Sequence, residues 1–561
     1  MRMPGTSAGQ ASSGSGPGSA VAGERAGGAP AREAAANASA SPGGDSGGDA
    51  PASSRRLARY ALPGRCLALL RGHWLAAVLL TAGLVVRVLV MVAYRPALLY
   101  VDTLKYLYSS WAGSDPVGYK VPLKLILLAG NLQTVVAVQH LLGLAMAVAL
   151  YAVLVRRGTA RWLAAIAIAP VLLDAYQLQM EQTIMPDVWF EALIVAGLAA
   201  LLWKPVLSTG SCVAGGIILG SSATVRQVGE ILVVPAVIFV IAAAGGWRQA
   251  IRKSIAVCIA FAVPIVFYCA GSYDLTGQFS LSRSGVAATY GRMAAAADCA
   301  TLKPPAGTRG LCPSAAEQRV GPDRLDHDAN SPAKLFTPPP GVSRNAAIGE
   351  FDRAVLEQQA PRVAAAIGND ALKLFAVDRV TSAGDTPITR WQFQRGYPSY
   401  MDVAATSAGI VIVGLKQVGG PIVYAPLNPA YGGRVAVSRP LAAFLRSYQL
   451  DGGYTPGPLL LLATLLGLAG SLAGLRRRRA SAAQRQLTLA CLLFFTAGVA
   501  DLAMSDLFEF SWRYQLPATV TLIPGGALGA AVIIGWTRSR LGRRADADSP
   551  DQEPQLAPSA G

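Results

Sequence analysis

The sequence predicts an all-α polytopic membrane protein of about ten transmembrane helices, with interfacial helices in its first external loop and a small external domain. Three observations predict it. Of 561 residues, 52% are hydrophobic and only 14% charged, and the mean hydropathy is +0.40. The apolar residues also fall in blocks near twenty long, the length needed to cross roughly 30 Å of hydrocarbon. A globular domain carries about a quarter charged residues, so a soluble fold is excluded, as are collagen-like and wholly disordered chains. With 49 Lys+Arg against 32 Asp+Glu the net charge is +17. The positive residues cluster beside apolar stretches, where the positive-inside rule accounts for them, so no nucleic-acid partner is expected. Only three histidines are present, His73, His140 and His327, and no Cys/His spacing of zinc type, which argues against a His-rich metal centre.

In chain order, residues 1–70 read as a disordered cytoplasmic tail. As far as Ser54 they are mainly Gly, Ala, Ser and Pro with scattered charges and Val21 the sole branched aliphatic residue, too little to build a core and without the apolar stretch of a signal peptide. A membrane core follows at 71–273, an extracytoplasmic loop domain at 274–455, a C-terminal helical group at 456–537 and a second cytoplasmic tail at 538–561. The expected spans are 74–94, 131–155, 160–178, 186–203, 209–225, 228–246, 254–273, 456–475, 487–507 and 516–536. On one side the flanking segments hold 21 Lys and Arg, including Arg55, Arg56, Arg59, Arg65 and Arg476 to Arg479; short loops on the other hold six. Both termini are therefore expected on the cytoplasmic side of the membrane.

Two larger segments then lie outside. Pro96 to Asn131 contains YVDTLKYLYSSWAG and YKVPLKLILLAG, amphipathic stretches too short to span and suited to the interface. In the second, EFDRAVLEQQAPRVAAAIGNDALKLFAVDR reads as a helix kinked at Pro361, and Gly409 to Gly414 as a buried strand or interfacial piece. Cys66, Cys212, Cys258, Cys269 and Cys491 lie in or beside spans as small apolar side chains. Cys299 and Cys312 share the external loop. An oxidising compartment would join them, closing a loop worth about 3 kcal/mol; the alternative is two unpaired thiols.

Ionisable residues near membrane depth are functional candidates by default. Asp102 follows the first helix, where its carboxylate suits a general base or a metal ligand, or equally the N-cap of the next helix. Asp174, Glu181, Asp187 and Glu191 gather at the junction of the third and fourth spans. Asp187 has a structural reason, lying beside Pro186 at the positive end of a helix dipole, whereas Glu181 has none. Arg226 ends the fifth span against the charge trend and is shaped for a phosphate, or snorkels. Arg513 repeats this at the outer end of the ninth span beside Glu509 and Trp512. Lys120 and Lys124 are phosphate contacts or ordinary interfacial lysines. Arg87 lies within the first span with a stem long enough to reach the outer headgroups. Walker A, GxGxxG, GxSxG and HExxH motifs are absent, disfavouring nucleotide-driven transport and zincin-type proteolysis.

The order of these elements resembles the GT-C superfamily of membrane glycosyltransferases. It runs from YVDTLKYL and GYKVPLKLIL through VVAVQHLLGLAMAVALYAVLVRRG, QMEQTIMPDVWFEAL and GGIILGSSATVRQVGEILVVP to SWRYQLPATVTLIP. The likeness covers residues 74–275 well and 456–536 loosely, while the tail and external loop are similar to those of multi-span actinobacterial proteins. It implies a polyprenyl-phosphate-linked sugar as donor and membrane-lipid partner. The implied acceptor is an extracytoplasmic cell-envelope glycan, lipid or protein. Asp102 matches the acid that deprotonates the acceptor, Glu181 or Asp187 the second external acid, and Arg226 helped by Lys120 the groups that hold the donor phosphate. Many members pair two acids in the first loop, whereas Asp102 is followed by Thr103, so a divalent metal is left open. Other readings are a transporter or flippase with Arg87, Asp174, Glu181 and Arg226 along its path, and a non-catalytic envelope scaffold.

Overall fold

The computed structural model describes residues 71–108, 116–282, 287–416, 422–475 and 481–547. The expected tail at 1–70, residues 548–561 of the second tail, Cys66, Arg55, Arg56, Arg59, Arg65 and Arg476 to Arg479 lie outside the described residues. Each of the ten expected spans is helical, but six helices are long and apolar enough to cross a membrane. They are α1 (Trp74–Ala93), α4 (Leu132–Arg156), α10 (Trp247–Thr276), α15 (Gly457–Leu475), α16 (Ala482–Phe508) and Trp512–Arg538, whose α-helical part is α17 (Pro517–Ala547). Between α1 and α4 lie α2 (Thr103–Leu107) and α3 (Lys120–Ala129).

The third expected span is broken. α5 (Arg161–Leu173) and α6 (Ala175–Gln182) meet at a 49° bend, and the pair makes a seventh candidate crossing. Asp174 causes the break: its backbone is extended and its carboxylate accepts from the Tyr176 N–H at 2.9 Å, capping α6. The remaining three expected spans are shorter. α7 (Asp187–Leu202) has 16 residues, about 24 Å at 1.5 Å per residue. α8 (Thr209–Val225) has 17, and α9 (Val233–Ala243) follows a 3-10 turn over Gln227–Leu232. Apolar side chains stay exposed along the outer faces, among them Leu84 and Val88 on α1, Ile259 and Phe267 on α10 and Leu465 on α15. Water does not tolerate such a continuous belt, whereas acyl chains do.

Asn131 starts α4 with a capping box: its Oδ1 accepts from Gln133 N and Thr134 N, while Thr134 Oγ1 accepts from the Asn131 N–H. α8 and α10 pack backbone to backbone, because a Cβ on Gly216 or Gly220 would collide with the carbonyls of Val257 or Phe261. That contact fixes the end of α8, where Arg226 stands. Basic residues hold the other end of the bundle, with Arg157 donating to the carbonyls of Leu202 and Lys204 and Arg485 to that of Ala242.

Residues 287–450 cover the end at which α1 finishes and α7 begins. α11 (Ala287–Ala296), α12 (Pro322–His327) and α13 (Arg344–Lys373) enclose a core around Tyr290 and Phe351. Cys299 and Cys312 beside it are joined as a disulfide. α13 leaves helical geometry at Gln359, two residues before Pro361. Leu374, Trp391, Val403 and Val413 belong to the same core as the membrane helices. β2 (Val403–Ala405), β3 (Val411–Lys416) and β4 (Ile422–Pro426) form an antiparallel sheet with Val403 opposite Val413 and Gly414 opposite Tyr424. The apolar stretch at 409–414 thus feeds a strand whose Val411 and Val413 are buried. β1 (Tyr94–Arg95), directly after α1, pairs with β5 (Ala436–Val437), which leads into α14 (Arg439–Leu450). Gly321 and Gly384, at φ of 86° and 87°, touch backbone to backbone and anchor α12 against the loop before Arg390.

Candidate functional site

Asp102 lies after α1, Asp187 opens α7, Arg226 follows α8, and Arg513 sits in the turn between α16 and α17. All four meet at one end of the bundle. Arg513 donates Nη1 to Asp102 Oδ2 at 3.0 Å and Nε to Asp187 Oδ1 at 3.1 Å. Arg226 donates to the same Asp187 oxygen. Both guanidiniums lie over the Tyr514 ring, at 4.5 Å for Arg226 and 4.9 Å for Arg513, so each is fixed in place by a carboxylate and a π-face. Asp187 is buried and its Oδ2 has no hydrogen-bond partner among the described residues.

Asp102 makes no side-chain cap, although it occupies the position before α2. Its carboxylate faces Lys105 at 3.6 Å and Arg513 instead. Burial opposes its charge, but Lys105, Arg513 and the Arg513 hydrogen bond outweigh burial and hold it well below the usual carboxylate range.

A cavity of about 1170 Å³ opens beside these groups, lined by Asp102, Lys105, Tyr100, Arg390, Trp391 and Arg513 among others. A smaller one of about 130 Å³ is lined by Arg226 and Pro186. Arg513, Tyr514, Lys105, His327, Asp323 and Glu509 line both. His327 is held above its usual value by its hydrogen bond to Asp323 and by nearby Asp326. Burial and the adjacent Asp323 carboxylate push Glu509 up.

Glu181 stands apart. It is fully buried between Arg87 and His140, at 2.7 Å from each, and lines neither cavity. The Arg87 stem does not reach outward: its guanidinium also donates to the carbonyls of Val171 and Leu172, closing the helices around it. Lys120 also lines neither cavity, and Lys124 binds the Leu107 carbonyl. Asp174 is occupied in capping α6, in accepting from Thr455 N at 2.7 Å and in facing Arg379. Among the described residues no group of three or more His, Cys, Asp and Glu is arranged to hold a metal ion. Asp102 and Asp187 both bind the Arg513 guanidinium, a cation where a metal would sit, so this donor set does not fit one.

Lys105, Arg390, Trp391, Tyr100, Asp323 and His327 were not singled out by the sequence. One signal was legible: RWQFQRGYPSY, residues 390–400, puts two arginines and four aromatics in eleven positions of an otherwise polar loop, the composition of a recognition surface.

No family model and no curated protein matches the chain. Solved structures do. The protein O-mannosyltransferase Pmt1–Pmt2 complex of S. cerevisiae bound to the sugar donor is 16% identical at a TM-score of 0.30, over 39% of this chain and 35% of that one. The archaeal oligosaccharyltransferase AglB from Archaeoglobus fulgidus, in complex with an inhibitory peptide and a dolichol-phosphate, is 12% identical at 0.38, over 87% and 53%. ArnT from Cupriavidus metallidurans bound to undecaprenyl phosphate is 12% identical at 0.28, over 86% and 82%. The chain thus spans about a third of the first structure's length and about half of the second's. These neighbours are GT-C glycosyltransferases. Overlaps this loose carry no argument about activity, which rests on the residues of the site. The long apolar helices and their exposed outer faces make the chain a polytopic membrane protein.

Proposed function

We propose that the chain is a membrane glycosyltransferase that moves a sugar from a polyprenyl-phosphate donor to an extracytoplasmic acceptor hydroxyl. One observation carries the reading: Arg513 binds Asp102 and Asp187 together at the wall of a cavity at one end of the bundle, with Arg226 beside it. That arrangement sets an ionised carboxylate next to two fixed guanidiniums, as displacement from a lipid phosphate requires.

The acceptor oxygen attacks the anomeric carbon, and the new C–O bond forms as the bond from that carbon to the phosphate oxygen breaks. The acceptor proton passes to the Asp102 carboxylate. Polyprenyl phosphate leaves with the bonding electron pair, and its charge is met by Arg226 and Arg513. A phosphate that draws Arg513 to itself relieves Asp102 of one of the cations that hold it, raising its basicity as the acceptor binds. Activated donor supplies the energy, so no nucleotide is needed. The transporter reading requires Arg87, Asp174, Glu181 and Arg226 along an open path; the first three are buried and engaged with partners of their own.

The test is sugar transfer in membranes from a panel of labelled polyprenyl-phosphate sugars. Wild-type transfer that collapses in folded Asp102→Asn supports the reading. Undiminished transfer by that variant would sink the role of Asp102, and a wild type inert with every donor favours the scaffold.

A further inference from the structure

Along the larger cavity, away from Arg226, three rings form a wall. Tyr100 packs against Trp391 at 5.0 Å between centroids and edge-on against Tyr400 at 4.8 Å. Arg513 lies over Trp391 at 5.3 Å, while Arg390 meets the same ring pair at the Tyr100 hydroxyl, donating at 2.8 Å. Arg390 is exposed to the cavity and forms no ion pair among the described residues. Arg395, five positions on, also lines it, is exposed and forms no ion pair or side-chain hydrogen bond among them.

Of the acids that line this cavity, Asp102 faces Lys105 and Arg513 and Asp323 pairs with His327, while Asp402 and Glu509 are not ion-paired to either Arg390 or Arg395 among the described residues. Two guanidiniums without an ion pair among the described residues thus stand beside an aromatic wall, with the neutral donors and acceptors Thr389, Gln394 and Ser399 around them. Rings stack on the apolar faces of sugars while hydroxyls find hydrogen bonds, and a guanidinium recognises a carboxylate or phosphate by charge and geometry.

We propose that Arg390, Arg395 and the Tyr100–Trp391–Tyr400 wall form a binding site for an anionic saccharide bearing a carboxylate or phosphate. The identity of this ligand as the acceptor rests on the glycosyltransferase reading; the binding site itself does not. The volume, about 1170 Å³, exceeds the upper range for a single drug-sized ligand, about 1,000 Å³, so an oligosaccharide end fits.

The experiment is calorimetric titration of the purified full chain at low ionic strength with galactotriose, trigalacturonate and galactotriose carrying one phosphate monoester. An anionic trisaccharide is expected to bind about tenfold or more tighter than galactotriose, as a charge-assisted pair provides. The preference should vanish in R390Q/R395Q, and whichever anion binds better names the charge. Arg395→Gln alone, on an exposed side chain, carries the test if the double variant does not fold, and should show a partial loss. Equal affinity for all three sugars, no binding, or a preference that survives both substitutions overturns the proposal. Polyprenyl phosphate is titrated separately into wild type. If it does not bind while the anionic sugar does, the glycosyltransferase reading fails and this site stands; the reverse result keeps that reading and removes this site.

Discussion

Arg513 and Asp102 are 411 positions apart in the chain and meet at 3.0 Å. Arg513 uses Nη1 for that contact and Nε for Asp187, so one planar group holds two carboxylates in fixed relation. A lysine has one nitrogen on a flexible stem and cannot span both. Arg513→Lys should therefore lose transfer by about 10²-fold or more, a size seen when one preorganised electrostatic donor is removed. Steady-state transfer rates for the lysine and glutamine variants check this, and near-equal losses are expected.

Asp102→Asn removes the proton acceptor while keeping shape. The expected loss is about 10²- to 10⁴-fold in the transfer rate, the range of a general base. Donor affinity should change little, since Arg226 and Asp187 remain; titration with polyprenyl phosphate separates the two effects.

Glu181 predicts a different phenotype. Its carboxylate neutralises Arg87 and accepts from His140 where no water reaches. Breaking a buried pair from one side leaves an uncompensated charge and costs about 3–5 kcal/mol. Glu181→Gln should lower the thermal midpoint and the folded yield, with turnover per folded molecule close to wild type. A variant that folds normally yet cannot transfer sugar would return Glu181 to the chemistry.

Asp352 offers a pH test outside the membrane helices. Burial pushes its carboxyl up to about 7 against the hydrogen bond from Thr289. The folded chain thus holds a proton that the unfolded chain releases near pH 4. Stability contributed here is present at low pH and is lost as pH rises from about 4 through about 7. Asp352→Asn should flatten the fall in thermal midpoint between pH 5 and pH 8, with its largest gain over wild type at the upper end.

The Cys299–Cys312 bridge closes a separation of 13 residues. Replacing both with serine should lower stability by about 3 kcal/mol on chain entropy alone. Denaturation of wild type with and without reductant, beside the double variant, measures it.

The helices were legible because length and apolarity are local properties, and Asn131 announces its cap within four residues. The break at Asp174 was less so. The acid was visible, but its choice to cap α6 depends on Thr455 and Arg379, both remote in sequence. For Asp102, a cap and a site residue were equally consistent with YVDTLKYL; the decision came from Arg513. Spacing within one segment could not reveal that Lys120 lines neither cavity or that Arg390 lines the larger one, because the segment that carries Arg390 is placed by tertiary packing. Glu181 was singled out for lacking a local excuse, and its partners, Arg87 and His140, come from two other helices.

The break at Asp174 also bears on the order in which the chain is made. Asp174, Asp102 and Asp187 leave the ribosome long before Thr455, Arg379 and Arg513 exist to receive them. Until the last helices insert, Asp102 has only Lys105 and Asp187 only Arg226 to face, and the cation that joins the two is missing. A chain halted before α16 would hold Asp174 on its own partners but leave Asp102 and Asp187 unjoined, so the turn that carries Arg513 acts as a seal that marks a finished molecule.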